Sequence, residues 1–161
     1  MIHQLPADAL YSLDTSCLVN GWGKHYPPDM FAPVWAHLDG LIQRKVVIAS
    51  SEVLEEIKRQ TDDLHEWCRD RDDAFMELTP DVQQNVARVL ADYPRLTAAG
   101  RNRADPFVIG VAMLAPRLVV VTEEIRIGGS DRKPKMPFIC DRSNIRCITF
   151  VEMLRESGFS F

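Results

Sequence analysis

Four stretches of this sequence place carboxylates where a folded chain could gather them. Asp14 closes a short apolar run, Ala9 to Leu13, and is followed by two hydroxyls, Thr15 and Ser16. Glu52, Glu55 and Glu56 follow the run Lys45 to Ala49, and Asp105 stands directly before Pro106 at the head of a long apolar stretch. Glu123 and Glu124 come after the β-branched run Leu118 to Val121, with Thr122 between. Ionised carboxylates a few ångströms apart force one another to take up protons unless a cation separates them. An all-oxygen donor set suits a hard divalent ion, Mg²⁺ or Mn²⁺. Such an ion keeps open positions for a phosphate and an attacking water.

The elements that would position these residues follow from periodicity. Ala9 to Leu13 is expected as a buried strand and Asn20 to Pro28, rich in Gly, Pro and aromatics, as a loop. Phe31, Val34, Trp35, Leu38, Leu41 and Ile42 recur at helical spacing behind an expected N-cap at Asp29. Lys45 to Ala49 is a second strand, and Ser50–Ser51 opens a helix running to about Arg59. The charged stretch Asp62 to Tyr93 is expected to be helical, with Thr79–Pro80 as a start signal and Val82, Val86, Val89, Leu90 and Tyr93 on one face. Gly100 breaks the pattern. Asp105–Pro106 starts a helix that is nearly all apolar to Leu114, Leu118 to Val121 is the clearest strand, and Arg126 to Lys135 is a basic loop. A last strand falls around Arg146 to Ile148, before a closing helix to Glu156. Alternating strands and helices predict an α/β fold with a parallel sheet covered on both faces. Ligands of such sheets bind at the carboxyl ends of the strands, where Asp14 and the Glu123–Glu124 pair fall.

Each carboxylate also has a plainer reading. Asp105 before Pro106 is a good N-cap and first-turn pair, and Asp14-Thr15-Ser16 suits a strand-ending turn. Glu55 has Arg59 four residues on, the favourable order for a solvated ion pair. Glu52 and Glu56 share a helix face; Glu56 flanks the core positions Val53 and Ile57 and is the better ligand, with Glu52 in reserve. Periodicity alone does not choose between Glu123 and Glu124.

The 161 residues, 46% of them hydrophobic, fit one domain spanning 1–161 with a real core, and exclude a disordered chain. The formal charge of −4 gives no global attraction to nucleic acid, so any such binding must be local. Cys17, Cys68, Cys140 and Cys147 form no C-x-x-C pair, which argues against structural zinc and for reduced thiols of a cytoplasmic protein. No signal peptide is visible at the start, and the apolar stretch Phe107 to Thr122 is too short to span a bilayer. No G-x-G-x-x-G follows a strand, GWGK lacks P-loop spacing, and Asp14 lacks the second Asp of an Asp-x-Asp phosphatase motif.

Taken in order, the segments resemble the PIN-domain (VapC-like) nucleases. LDTSCLV looks like the family's opening strand with its Asp-Thr/Asn-Ser signature, at Asp14; EEI is similar to the Glu-Leu of its second element and selects Glu56. ADPFVIGVA looks like its Asp-x-x-Ile-Ala helix, at Asp105. VVVTEE resembles its Val-Thr-x-Asp strand end and selects Glu124, although Glu stands where Asp is usual. The tail from Pro134 looks more like an uncharacterised PIN-like branch than like the shortest toxins. The resemblance implies a three-layer α/β/α sandwich with a mostly parallel sheet. It also implies Mg²⁺- or Mn²⁺-dependent hydrolysis of RNA, leaving a 5′-phosphate and a 3′-hydroxyl. Asp14 and Asp105 would ligate the metal directly, and Glu56 and Glu124 directly or through water. Many small members are toxins of type II toxin–antitoxin pairs, held inactive by an antitoxin, and homodimers are frequent. A PIN-like protein without catalysis, acting as a binding or scaffold module, is the rival.

Thr15, Ser16 or Thr122 could orient a water or a carboxylate. From Arg126 to Arg146, six basic residues face two acidic ones, a local excess of four; Arg126, Lys133 and Lys135 are the expected phosphate contacts. The plainer reading is a solvated loop paired with acidic residues. Trp22, Lys24, His25 and Tyr26 are a second candidate for RNA contact, with core anchoring as the alternative for the two aromatics. The four histidines show no metal-ligand spacing. Phe159 and Phe161 would either tuck into the core or join an interface with a second copy or an antitoxin.

Overall fold

Five short apolar segments build the sheet: β1 (Tyr11–Leu13), β2 (Val47–Ser50), β3 (Phe75–Met76), β4 (Val119–Val121) and β5 (Cys147–Ile148). They are seen in a computed structural model that describes residues 1–60, 62–97, 100 and 103–161. All pairings are parallel, in the order β3-β2-β1-β4-β5. Every strand residue is buried, as a sheet covered on both faces requires.

The helices are α1 (Thr15–Asn20), α2 (Ala32–Gln43), α3 (Ser51–Lys58), α4 (Asp62–Arg69), α5 (Pro80–Asp92), α6 (Asp105–Ala112), α7 (Met136–Arg142) and α8 (Phe150–Glu156). The chain runs from β1 outward to β2 and β3 through α1–α4, then returns to β4 and β5 through α5–α7. Right-handed crossovers in opposite directions put these two helix sets on opposite faces. Helix α8 rejoins the first face, where Phe150 meets Trp35 and His37 bonds Ser157. The result is the three-layer α/β/α sandwich that the resemblance implies, with an all-parallel sheet.

Most element starts match their sequence signals. Ser50 accepts the Glu52 N–H to cap α3, Thr79 accepts the Val82 N–H to cap α5, and Thr149 and Glu152 form a capping box on α8. Several expectations do not hold. Asp29 is not a cap: α2 starts after Phe31, without a side-chain cap. The stretch Asp62 to Tyr93 is not helical throughout, because β3 interrupts it, pairing Ala49 with Phe75; two residues are too few to show a period. The Asn20–Pro28 loop is largely helical, since α1 continues into a π-helical turn at Gly21–His25. Helix α7 was not foreseen. Glu55 and Arg59 form no ion pair among the described residues, and Glu55 is simply exposed.

Helices α5 and α6 pack closely because Gly110 has no side chain. A Cβ there would lie 2.8 Å from Val86 Cγ2 and 3.4 Å from the Val82 oxygen and the Val86 nitrogen. The buried Asn85 amide donates to the Gly110 oxygen at 3.0 Å, and Ser12 of β1 donates to the Val108 oxygen at 3.1 Å. These contacts fix α6, whose first residue is Asp105, against the sheet. Gly110→Ala should therefore destabilise the fold by about 1–2 kcal/mol in urea unfolding, despite a helix-propensity gain of about 1 kcal/mol. Gly40→Ala, in α2 with nothing within 4 Å of the added Cβ, should stabilise by up to about 1 kcal/mol. Equal effects at the two sites would refute the close-packing account.

Candidate metal centre

At the carboxyl ends of its strands the sheet ends in a polar rim. Leu13 is in register with Ala49 and Val121, and Val121 with Ile148, so Asp14, Ser50, Thr122 and Thr149 are the next residues along their strands. Strands β1 and β4 flank the point where the chain reverses its direction across the sheet. In open α/β sheets the ligand crevice lies outside the carboxyl ends at such a point.

A cleft of about 200 Å³ opens there, lined by Asp14, Glu56, Asp105 and Glu124 together with Thr15, Ser16, Val19, Asn20 and Gln60. The four carboxylates come from the end of β1, from α3, from the first turn of α6 and from the turn after β4. The structure also separates the two adjacent glutamates. Glu124 lines the cleft and accepts the Met136 N–H of α7 at 2.7 Å, whereas Glu123 turns away and accepts the Phe150 N–H of α8 at 2.9 Å. Glu52 does not line the cleft.

Two hydroxyls hold Asp14. Ser16 Oγ and Thr122 Oγ1 lie 2.6 and 2.8 Å from Asp14 Oδ2, each placed to donate. The same hydroxyls accept the Glu123 and Glu124 N–H groups at 3.0 and 3.1 Å, which ties the turn after β4 to α1. Glu56 Oε2 accepts the Ala104 N–H at 3.0 Å. Asp105 differs. It is 4% exposed and sits inside the first turn of α6 rather than at the cap, which is Ala104, so its side chain makes no cap bond. Among the described residues its Oδ2 is buried without a hydrogen-bond partner, as is Thr15 Oγ1 on the cleft wall. A buried carboxylate oxygen with no donor is costly, and two orphaned oxygens in one cleft mark a place suited to a cation.

The donor set is all oxygen and fits Mg²⁺ or Mn²⁺. Among the described residues, however, no three His, Cys, Asp or Glu side chains are already arranged as a metal-binding group. Glu56 and Glu124 are each turned to a backbone donor, which accounts for the spread.

The predicted phosphate contacts fare differently. Arg126 is committed to Asp141, at 2.7 and 2.9 Å, and to the Cys147 oxygen at 2.8 Å. Arg142 pairs with Asp131 and Arg146 with Glu156, so three of the six basic residues are paired within the chain. Lys135 donates to the Ile127 oxygen at 3.1 Å, and its charge acts on Glu124; Lys133 is exposed and does not line the cleft. Trp22 packs on Trp35 and Trp67, which assigns it to the core. Phe159 packs against the core, and Phe161 is exposed. Asn20 and Gln60 of the cleft were missed. Gln60 lies four residues after Glu56, so helical spacing points to it; Asn20 belongs to α1, which no periodic pattern in the sequence announces.

Burial raises the pKa of all four carboxylates, and of Asp105 well above the usual range, where the charges of Asp14, Glu124 and Glu56 add to burial. A carboxyl whose pKa is higher in the folded than in the unfolded state binds more protons when folded, so its contribution to stability is lost as pH rises. With a chelator present, Asp105→Asn should melt higher than the wild type at pH 8, the gap narrowing toward pH 4 where the wild-type carboxyl is protonated. A gap independent of pH in thermal unfolding would contradict this assignment.

No curated protein and no solved structure matches the chain. None of its described helices is long and apolar enough to cross a membrane. Residues 11–161, which take in the whole sheet and all four carboxylates of the cleft, match the family described as Domain of unknown function (DUF4411), and the chain belongs to that family.

Proposed function

We propose that this protein is a Mg²⁺- or Mn²⁺-dependent endoribonuclease. The observation that carries the reading is the Oδ2 of Asp105, buried and unpartnered among the described residues, in a cleft shared with Asp14, Glu56 and Glu124. Asp14 and Asp105 would hold the metal directly, and Glu56 and Glu124 directly or through water. A divalent cation supplies, when bound, Lewis-acid activation of a phosphodiester and of the water that attacks it. The chain's own residues prepare the place. Ser16 and Thr122 fix one oxygen of Asp14, α6 delivers Asp105 from a rigidly packed helix, and the Thr15 hydroxyl is available to orient substrate or water. Asn20 and Gln60 add amide groups at the same cleft.

The second reading is a binding or scaffold module without catalysis. It is favoured by the backbone hydrogen bonds of Glu56 and Glu124, which give these carboxylates a structural role, and by the internal pairing of the basic loop. The finer proposal, that the protein is the toxin of a type II pair with a cognate antitoxin, rests on the resemblance alone. Growth arrest on expression, relieved by Asp14→Ala, is its test.

The nuclease reading predicts stoichiometric Mn²⁺ binding by calorimetry, tighter at higher pH because the carboxyls must release protons, and abolished by Asp14→Ala. Asp105→Asn should fold normally and lose metal-dependent cleavage of single-stranded RNA by at least about 100-fold. Undiminished cleavage by Asp105→Asn would overturn the reading, and metal-independent RNA binding without cleavage would favour the module.

A further inference from the structure

The segment GWGKHY carries a local irregularity that the carboxylate cleft does not explain. Helix α1 widens after Asn20 into the π-helical turn Gly21–His25, closed by the Tyr26 N–H donating to the Gly21 oxygen, five residues back, at 2.8 Å. Such insertions are rare and concentrate at functional sites. Here Trp22 turns inward onto Trp35, at 4.7 Å between ring centroids, while His25 and Tyr26 line a second cleft of about 170 Å³. Tyr26 is held from two directions. The Trp35 indole N–H donates to its carbonyl at 2.7 Å, and its ring lies 5.9 Å from that of the buried Phe150.

The two clefts share the turn after β4, with Glu124 lining the first and Glu123 the second. Glu123 is the acidic residue among those that line the second cleft. Its Oε1 accepts the Phe150 N–H at 2.9 Å, and no other donor among the described residues meets its carboxylate. The Cys17 thiol, also on the wall, is turned to the Val121 oxygen at 2.9 Å. The pocket therefore combines aromatic surface with a carboxylate, which only accepts hydrogen bonds. A phosphate would be repelled there; a flat heterocycle with N–H groups on its edge would not.

The geometry points to a nucleobase subsite for guanine in single-stranded RNA, an assignment that rests on the ribonuclease reading. Sequence-specific proteins read unstacked RNA bases by aromatic contact and by hydrogen bonds to their Watson–Crick edges. Guanine presents two neighbouring donors on that edge, N1–H and the exocyclic amino group, to a carboxylate. Adenine and cytosine set an acceptor nitrogen beside their amino group, and uracil sets a carbonyl on each side of its single N–H. Glu123 would thus select the base, while the four carboxylates of the first cleft act on the neighbouring phosphodiester.

Calorimetric titration of the full chain with guanosine 5′-monophosphate and with uridine 5′-monophosphate tests the subsite without requiring cleavage. The wild type should bind the guanosine nucleotide at least tenfold more tightly. Glu123→Gln keeps an acceptor for the Phe150 N–H but turns a donor toward the base, and should erase that preference; Tyr26→Ala should weaken both nucleotides. Cleavage of oligouridine carrying one guanosine should concentrate at the guanosine in the wild type and spread in Glu123→Gln. Equal affinity of the wild type for the two nucleotides, or an unchanged preference in Glu123→Gln, would overturn the subsite. Metal-dependent cleavage with no base preference would remove the subsite and leave the nuclease. A Glu123-dependent guanosine preference without any cleavage would remove the nuclease and leave the subsite.

Discussion

The constraint on which this structure turns is the burial of like charges at one rim of an apolar parallel sheet. Parallel strands all end on the same edge, so whatever follows them is brought together whether or not it repels. Asp14 follows β1, Glu124 comes three residues after β4, Asp105 arrives on α6, packed against β1, β2 and β4, and Glu56 on α3, packed against β2 and α1. Desolvation and mutual repulsion both favour the protonated carboxyl, which is the direction in which all four are displaced.

The surroundings offset that cost unevenly. Asp14 has two hydroxyls, Glu56 the Ala104 N–H and Glu124 the Met136 N–H, whereas Asp105 Oδ2 meets no donor among the described residues. The packing behind Asp105 is correspondingly firm. Gly110 lets α6 press on α5, and Asn85 and Ser12 spend buried polar groups on α6 carbonyls. A strained or underpartnered group persists only where the elements around it leave no way to relax. The metal-binding role proposed above would account for such an arrangement.

The turn after β4 divides the chemistry of the rim. Two adjacent glutamates leave it in different directions, one to the four-carboxylate cleft and one to the aromatic cleft beside α8. Each is held by the first N–H of a different helix, Met136 for Glu124 and Phe150 for Glu123. Small shifts of this turn would therefore move both clefts together, because Ser16 and Thr122 tie its backbone to Asp14.

Much of this was legible in the sequence. Alternating apolar runs and amphipathic helices announce a parallel α/β sandwich, and capping signals at Ser50 and Thr79 place helix starts within a residue. Asp14 and Asp105 were visible because each sits at the boundary of an element, where the one-dimensional pattern changes. β3 and α7 were not: β3 is two residues inside a charged stretch that reads as helix, and α7 is a seven-residue helix directly after a basic loop. The choice between Glu123 and Glu124 belongs to the tertiary structure, since these adjacent residues are drawn apart by the N–H groups of α8 and α7. The same holds for the basic loop, three of whose six cations are paired with Asp131, Asp141 and Glu156. Local pattern determined which residues could be buried together; long-range pairing decided which of them face one another across the cleft.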